Sequence, residues 1–171
     1  MEVIYSICSK LAGGGIGDTA YQAVRGIYRH DYLKQVIARG SGKIEIEKSK
    51  VRKVWYPKRM RLPYIPAWRW YGLENLYFDG RVAAILKKAG CDVFHGWNGH
   101  SLRSLQEAKR QGAITVVERA SSHILTQMKL ILEEYETYGV KDEPERAEII
   151  ARCLEEYETA DYITVPSQFV Y

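Results

Sequence analysis

The amino-acid sequence predicts an α/β protein with a Rossmann-like, doubly wound and mainly parallel sheet that has helices on both faces. Three observations support this prediction. Short segments rich in β-branched residues alternate with amphipathic segments of helical period. A glycine-rich loop joins the first such strand to the first helix. Helix, glycine and strand then follow one another twice, over residues 79–95 and 101–117, as parallel strands with helical crossovers require.

The size and composition of the chain fit one globular domain, which we predict over residues 1–171. The sequence is 46% hydrophobic and 27% charged, and its net charge of +4 is too small to indicate a nucleic-acid partner. No apolar run approaches the roughly 18 residues of a membrane span, and no secretory leader opens the chain. We therefore expect a cytoplasmic protein whose three separated cysteines are reduced.

The first half of the chain contains the first strands of the predicted sheet. Val3–Cys8 is apolar and predicts strand one, and Asp18–Tyr28 has the spacing of an amphipathic helix. Leu33–Ala38 predicts strand two. Apolar and charged residues then alternate over Ile44–Ile46 and Val51–Trp55, which predicts an edge strand or a hairpin.

The second half is more regular, after a predicted loop rich in prolines and aromatic residues over Pro57–Tyr71. Gly90 and Gly112 each follow basic residues, as glycines that close helices do. The remaining predicted elements are a helix from about Asp79, a strand over Asp92–His95, a helix over residues 101–112, a strand over Ile114–Val117, helices over His123–Tyr138 and Pro144–Thr159, and a strand over Asp161–Val165.

The glycine loop is the first candidate binding element. Gly15 and Gly17 satisfy the dinucleotide pattern GxGxxA, and backbone N–H groups between a strand and a helix can hold a phosphate. A tight turn without a ligand is the alternative. Strand two ends in Arg39, whereas NAD binding calls for an acidic residue there. Arg39 would accept a 2′-phosphate, so an NADP-type oxidoreductase domain remains an alternative function.

Polar residues follow two predicted neighbouring strands, and this is the second candidate site. Asn98 and His100 follow one strand, and Arg119 and His123 follow the other. Ligands of open parallel sheets bind outside the carboxyl ends of the strands, so we expect these residues to share a cleft. A serine at 121 or 122 would also cap the next helix.

A metal site is not predicted. Cys91 and His95 would lie about 13 Å apart on an extended strand, too far to share an ion. We expect His95 to be buried and hydrogen-bonded. Glu148 and Glu156 have a spacing known from nucleotide-sugar enzymes, but we interpret it as chance on the solvated face of a helix.

Residues 48–71 combine Lys and Arg with Trp and Tyr. This composition suits a lipid surface or single-stranded nucleic acid, and it also suits an exposed strand followed by a packed aromatic loop. A non-catalytic module that docks on a lipid surface through residues 48–71 is therefore a second alternative function. Peripheral membrane contact would go with it, whereas no nucleic acid is expected.

Taken together, three segments of the sequence resemble the N-terminal half of the family 4 glycosyltransferases, which are retaining enzymes of the GT-B fold. The resemblance covers nearly the whole chain, and its middle and closing segments are the more specific. The segments are GGGIGDTAYQAVRG after strand one, DVFHGWNGHSLRSLQEAKRQGAITVVERASSHI in the middle, and ADYITVPSQFV at the close.

The resemblance implies an acceptor-side domain of a nucleotide-sugar-dependent retaining hexosyltransferase, inactive without a C-terminal donor-binding domain that this chain lacks. It implies no cofactor; the partners are a nucleotide sugar, a sugar acceptor and that second domain. Many members have a second histidine where this chain has Trp97, so the catalytic residue is unassigned, with His100 and His123 as candidates. The implied binding residues are Gly14, Gly15 and Gly17 on the donor side and Asn98, His100, Arg119, Ser122 and His123 on the acceptor side.

Overall fold

A computed structural model describes residues 1–55, 67–140, 147–168 and 170, with the side chains of residues 67 and 68 excepted. Within these ranges the backbone forms one six-stranded sheet in which every neighbouring pair of strands is parallel. The strands are β1 (Val3–Leu11), β2 (Leu33–Ser41), β3 (Val51–Lys53), β4 (Val93–Trp97), β5 (Ile114–Glu118) and β6 (Tyr162–Thr164).

The helices between these strands are crossover connections, as a parallel sheet requires. The strand order is β3-β2-β1-β4-β5-β6, which confirms the predicted Rossmann-like fold class. The strand order reverses between β1 and β4. The chain therefore leaves these two neighbouring strands in opposite directions, and a crevice opens between the loops that follow them. The helices are α1 (Ile16–Arg29), α2 (Ala67–Ala89), α3 (Leu102–Arg110), α4 (Ile124–Thr137) and α5 (Ala147–Thr159).

Two hydrophobic cores cover the two faces of the sheet, because alternate side chains of a strand point to opposite faces. On one face, Val24 of α1 packs with Tyr5 and Ile7 of β1. On the other face, Phe78 of α2 packs with Ile4 of β1. A smaller cluster joins α4 to α5 through Ile124, Met128 and Cys153. Helices on both faces confirm the doubly wound architecture.

The prediction around the sheet edge is partly wrong. Val51–Lys53 pairs in parallel with β2 and is an edge strand, but there is no hairpin. Ile44–Ile46 is not a strand; Ile46 is buried in the core beside α1, while the backbone around it runs irregularly into a 3₁₀ turn over Lys48–Lys50. Burial of alternate side chains therefore produced a strand-like pattern without strand pairing.

The predicted loop over Pro57–Tyr71 is wrong in its last part, because α2 already begins at Ala67. The segment 56–66 lies outside the described residues. Asp79, predicted as the start of this helix, lies inside it and is completely buried. The helix predicted from Pro144 is confirmed over Ala147–Thr159, and its predicted first turn lies outside the described residues. Gly90 and Gly112 have positive φ angles of 58° and 81° after α2 and α3, as predicted.

Candidate functional site

A cleft of about 810 Å³ opens where the strand order of the sheet reverses. Its floor is the end of β4 and the end of β5, including Trp97 and Glu118. Ile16 at the start of α1, the N-terminal turns of α2 and the first turns of α5 form its walls. This is the position at which open α/β sheets bind ligands, so the cleft is the candidate functional site.

Arg119 makes three side-chain hydrogen bonds. It follows β5, is half-buried and lines the cleft. Its Nε donates to the carbonyl oxygen of Ser122 at 3.0 Å, one Nη donates to Asn98 Oδ1 at 3.1 Å, and the other donates to Gln127 Oε1. Ser121 also donates to that Gln127 oxygen at 3.0 Å. The guanidinium is therefore fixed by groups from the loop after β5, from the loop after β4 and from α4.

Asn98 is fixed from its other side by Glu156 of α5. Its Nδ2 donates to Glu156 Oε2 at 2.9 Å and to the carbonyl oxygen of Cys153 at 3.2 Å. The two oxygens of Glu156 also accept the backbone N–H groups of Gly99 and, at 2.8 Å, of Ser101. Because the Asn98 amide is bound at both its nitrogen and its oxygen, its orientation is determined before any ligand arrives.

Two buried carboxylates close the N-terminus of α3. Glu156 accepts N–H groups just before this helix, and Asp79 of α2 accepts the N–H groups of Arg103 and Ser104, both at 2.9 Å. Both carboxylates are completely buried. Arg152 of α5 pairs with Asp79 and lies 3.5 Å from Glu156 Oε1. The first N–H groups of a helix lack intrahelical acceptors. For α3, carboxylates that are distant in sequence accept these N–H groups.

Glu156 contradicts the expectation of a solvated helix face. Glu148 is exposed, whereas Glu156 is buried beneath the loop after β4. Helical spacing gives the reason, since Glu156 comes three residues after the buried Cys153. Burial raises the pKa of Glu156 to about 7, against the lowering influence of the Ser101 and Gly99 N–H groups and of Arg152.

His100 lines the cleft but is almost completely buried. Its Nε2 accepts the backbone N–H of Cys8 at 3.1 Å. Burial, together with the positive charges of Arg152 and Arg39, lowers the pKa of His100 to about 3. The imidazole is neutral at physiological pH, and one of its nitrogens is already engaged. A catalytic role for His100 remains a prediction, and as a base it would be weak.

A second polar cluster lies where the cleft meets the central strands, on the face of the sheet that α1 covers. Tyr5 donates its phenolic hydrogen to Glu118 Oε2 at 2.6 Å and accepts Trp97 Nε1–H at 2.6 Å. Burial raises the pKa of Tyr5, and Glu118 raises it further, so the phenol keeps its proton. His95 Nε2 lies 3.3 Å from the same Glu118 oxygen, yet it has no hydrogen-bond partner within the described part of the chain. The expected hydrogen bond of His95 is therefore wrong at this nitrogen.

The glycine loop lies beside the cleft, and only its neighbour Ile16 lines it. Gly14 and Gly15 have φ angles of 93° and 53°, and a Cβ at either would meet open space. Gly17 differs, because a Cβ there would lie 2.2 Å from the Lys10 carbonyl oxygen. Close approach to β1 is thus sufficient to explain Gly17, while Gly14 and Gly15 form an open backbone turn.

Ser122 and His123 are not among the cleft-lining residues. Ser122 contributes its carbonyl oxygen to Arg119, and the His123 ring lies 5.0 Å from the ring of Tyr157, centre to centre. His123 rather than a serine caps α4, since its Nδ1 accepts the Leu125 N–H at 3.4 Å. The predicted serine cap is wrong. Of the predicted site residues, the structure brings Asn98, His100 and Arg119 together in the cleft.

Two alternative functions depend on Arg39 and on residues 48–71. Arg39 has a partner within the protein, and part of the segment 48–71 lies outside the described ranges. Arg39, the candidate for a 2′-phosphate, lies 3.3 Å from a carboxylate oxygen of Glu74. In the basic aromatic segment 48–71, Trp55 and Tyr71 are exposed, and residues 56–66 are not described. No helix within the described ranges is both long and apolar enough to cross a bilayer.

Comparisons with known proteins give a fold but no sequence family. No protein-family model and no curated protein matches the chain. Among solved structures, the chain is similar to a UGT transferase from Siraitia grosvenorii in complex with UDP, with a TM-score of 0.52 and 16% identity. The likeness shows the fold. The alignment covers 97% of this chain and 45% of that chain, so this chain spans less than half of that protein's length.

Proposed function

We propose that this chain is the N-terminal, acceptor-binding domain of a nucleotide-sugar-dependent glycosyltransferase. The observation that carries the proposal is the position of the cleft. It lies at the reversal of strand order in a fold shared, over 97% of the chain, with part of an enzyme captured with UDP. A second domain of similar size would then face this cleft and bind the donor.

The division of labour follows from the physical demands of sugar transfer. The enzyme has to orient an acceptor hydroxyl and stabilise a leaving diphosphate, which a cleft between two domains can do together. Asn98, His100 and Arg119 line the cleft and are the proposed acceptor contacts. Gly14 and Gly15 present open backbone beside it and are the proposed donor-side contacts. Ser122 binds Arg119 through its carbonyl oxygen, Gly17 donates its N–H to the Gly14 carbonyl oxygen, and His123 caps α4.

Membership of family 4, and with it retention of the anomeric configuration, is the finer part of the proposal. It rests on the three sequence segments that resemble that family. Product stereochemistry tests it directly: the anomeric proton coupling of the product should match that of the donor sugar. Inverted product would remove the family 4 assignment and leave the glycosyltransferase proposal in place.

The domain proposal is tested with the 171-residue chain alone and with the same chain supplied with a second, donor-binding α/β domain, fused or added. Release of nucleoside diphosphate from UDP- and GDP-sugars should require the second domain, and the 171-residue chain alone should transfer no sugar. Transfer by the 171-residue chain would contradict the proposed need for a donor domain. A reading frame without a second α/β domain, and no activity with any added partner, would contradict the proposed function.

The oxidoreductase alternative has a separate test in the same binding assay. Fluorescence titration with NADPH should show no tight binding, because Arg39 already faces Glu74. Tight NADPH binding without any response to nucleotide sugars would replace the glycosyltransferase proposal. Co-sedimentation with anionic liposomes at low and high salt tests the lipid-docking alternative, because electrostatic docking would weaken as salt rises.

A further inference from the structure

The side chain of Arg119 is bound by neutral groups alone among the described residues. Its three hydrogen-bond acceptors are a backbone carbonyl oxygen and two side-chain amide oxygens. No carboxylate among the described residues forms an ion pair with it. By contrast, Arg152 pairs with Asp79, and Arg39 lies beside Glu74. The positive charge of Arg119 is therefore left without a neutralising partner in the part of the protein that the structure describes.

The carboxylates that share the cleft are directed elsewhere. Glu118 accepts the Tyr5 hydroxyl and faces His95 on the α1 side of the sheet. Glu155 accepts a weak hydrogen bond from Gln106 on the surface, and Glu148 is exposed at the start of α5. Partial burial of an arginine without a counter-charge costs free energy, and a bound anion would offset that cost.

The guanidinium is also held in one orientation before a ligand arrives. Glu156 orients Asn98, and Asn98 accepts from Arg119 on its other side. Ser121 shares the Gln127 oxygen that accepts from the second Nη. A guanidinium has five N–H donors, and these contacts use one on each nitrogen, which leaves two. An anion bound there would meet a fixed fork with little further loss of side-chain entropy.

We propose that Arg119 is the anion-binding residue of the cleft and that the ligand carries a phosphate or a carboxylate group which it contacts. This inference rests on the proposed function, because it specifies the substrate of the same cleft. The anionic group would belong either to the diphosphate of the nucleotide sugar or to an acidic acceptor. Charge-assisted contacts to such a group are about twice as strong as neutral ones.

The experiment compares binding of four probes to the 171-residue chain by calorimetry and by NMR of the arginine side-chain N–H groups. Inorganic pyrophosphate and UDP carry phosphate, glucuronate carries a carboxylate, and uridine carries neither. Arg119→Gln should weaken binding of the preferred anion about tenfold or more, since hydrogen bonds to charged groups are the strong ones. Arg119→Lys keeps the charge without the fork and should bind with intermediate affinity.

The matched control is Arg110→Gln, which removes an exposed arginine that pairs with Glu107 on α3. It should bind every anion as the unmodified chain does. Circular dichroism and thermal unfolding establish that Arg119→Gln is folded. If that variant does not fold, the arginine N–H shifts of the unmodified chain and the Lys variant still decide the question. Pyrophosphate and UDP acting alike would indicate the donor diphosphate, and glucuronate alone would indicate an acidic acceptor.

Two further results separate this inference from the proposed function. Equal UDP binding by the unmodified chain and by Arg119→Gln would overturn the anion site and leave the glycosyltransferase proposal standing. Arg119-dependent binding of an anion, with no cleavage of any nucleotide sugar even when a donor-binding domain is supplied, would overturn the glycosyltransferase proposal and leave the anion site standing. Binding of no anion at millimolar concentration would overturn the inference.

Discussion

At the scale of single residues, Glu156 orients groups that line the candidate site. One buried carboxylate accepts two backbone N–H groups and the Asn98 amide, and Asn98 in turn contacts Arg119. The side chain that shapes the cleft is thus not itself in it. Its helical spacing from Cys153 is a signal in the sequence, because a position three residues from a buried cysteine shares its face. Because glutamate is usually exposed, the residue type predicted a solvent-facing position instead.

The pKa of Glu156 predicts how stability depends on pH. Its folded value of about 7 lies above its ordinary value of 4.5, so between these values the native protein binds more protons than the unfolded chain. Stability should therefore fall as pH rises from 4.5 to 7, by up to about 1.4 kcal/mol per pH unit. Urea unfolding at several pH values should show this slope in the unmodified chain and not in Glu156→Gln.

The control for Glu156 is Glu155→Gln, an exposed neighbour on the same helix. It should keep the pH slope of the unmodified chain. Equal slopes in all three proteins would show that Glu156 does not titrate in this range.

Gly17 gives a second residue-scale prediction, based on space rather than charge. Gly17→Ala would place a Cβ 2.2 Å from the Lys10 carbonyl oxygen, and we expect a loss of about 3 kcal/mol in the free energy of unfolding. Gly26→Ala, in the same helix with nothing within 4 Å, should instead stabilise by about 0.5 to 1 kcal/mol. Thermal or urea unfolding measures both. A neutral Gly17→Ala would refute the close approach of α1 to β1.

At the scale of whole elements, the strands and helices of the second half are those that the sequence predicts most directly. β4, β5, α3 and the end of α5 agree with it because buried β-branched runs and closing glycines are local signals. The start of α2 at Ala67 was missed. The prolines and aromatic residues of this segment are typical of a loop, whereas α2 as a whole packs against α3, and such packing stabilises helices beyond what their own sequence pattern predicts.

The attachment of β6 depends on Asp161. This residue accepts the N–H and the hydroxyl of Thr115 at 2.8 and 2.7 Å, and Lys109 at 3.0 Å. All three residues of β6 are exposed, so little apolar burial supports the strand. Asp161→Ala should speed amide exchange in β6 and cost about 1 to 2 kcal/mol in stability.

Hydrogen exchange followed by mass spectrometry measures this effect, with the exposed Glu158→Ala on α5 as control. The bonds from Thr115 lower the pKa of Asp161 to about 2, below its ordinary value of 3.8. Its contribution is therefore complete above 3.8 and is lost as pH falls through 2. Unchanged exchange in β6 of the Ala variant would mean that the strand is held by its backbone pairing alone.

At the scale of the whole molecule, α2, α3 and α5 meet in one buried network beside the cleft. Arg152 connects Asp79 with Glu156, and both carboxylates support the N-terminus of α3. Such a shared partner makes the effects of two substitutions interdependent. The walls of the cleft therefore respond together when any member of this network is altered.

A double-mutant cycle of Asp79→Asn and Glu156→Gln tests this interdependence. The two substitutions leave Arg152 with progressively fewer partners, so their combined effect on unfolding should differ from the sum by about 0.5 to 3 kcal/mol. A cycle of Asp161→Ala with Glu156→Gln is the control and should be additive, because these two residues share no contact in the network described here. Additivity of the first pair would show that the two carboxylates act separately.

The sequence by itself determined the α/β class, the succession of most strands and helices along the chain, and the polar residues that follow β4 and β5. These features are local, because β-branched runs, helical spacing and closing glycines act within a few residues. The tertiary structure decided which of those polar residues share the cleft and which buried groups hold them. The partners of Arg119 and the donors to Glu156 come from different elements, and hydrogen bonds between such distant residues follow from packing, which no local pattern encodes.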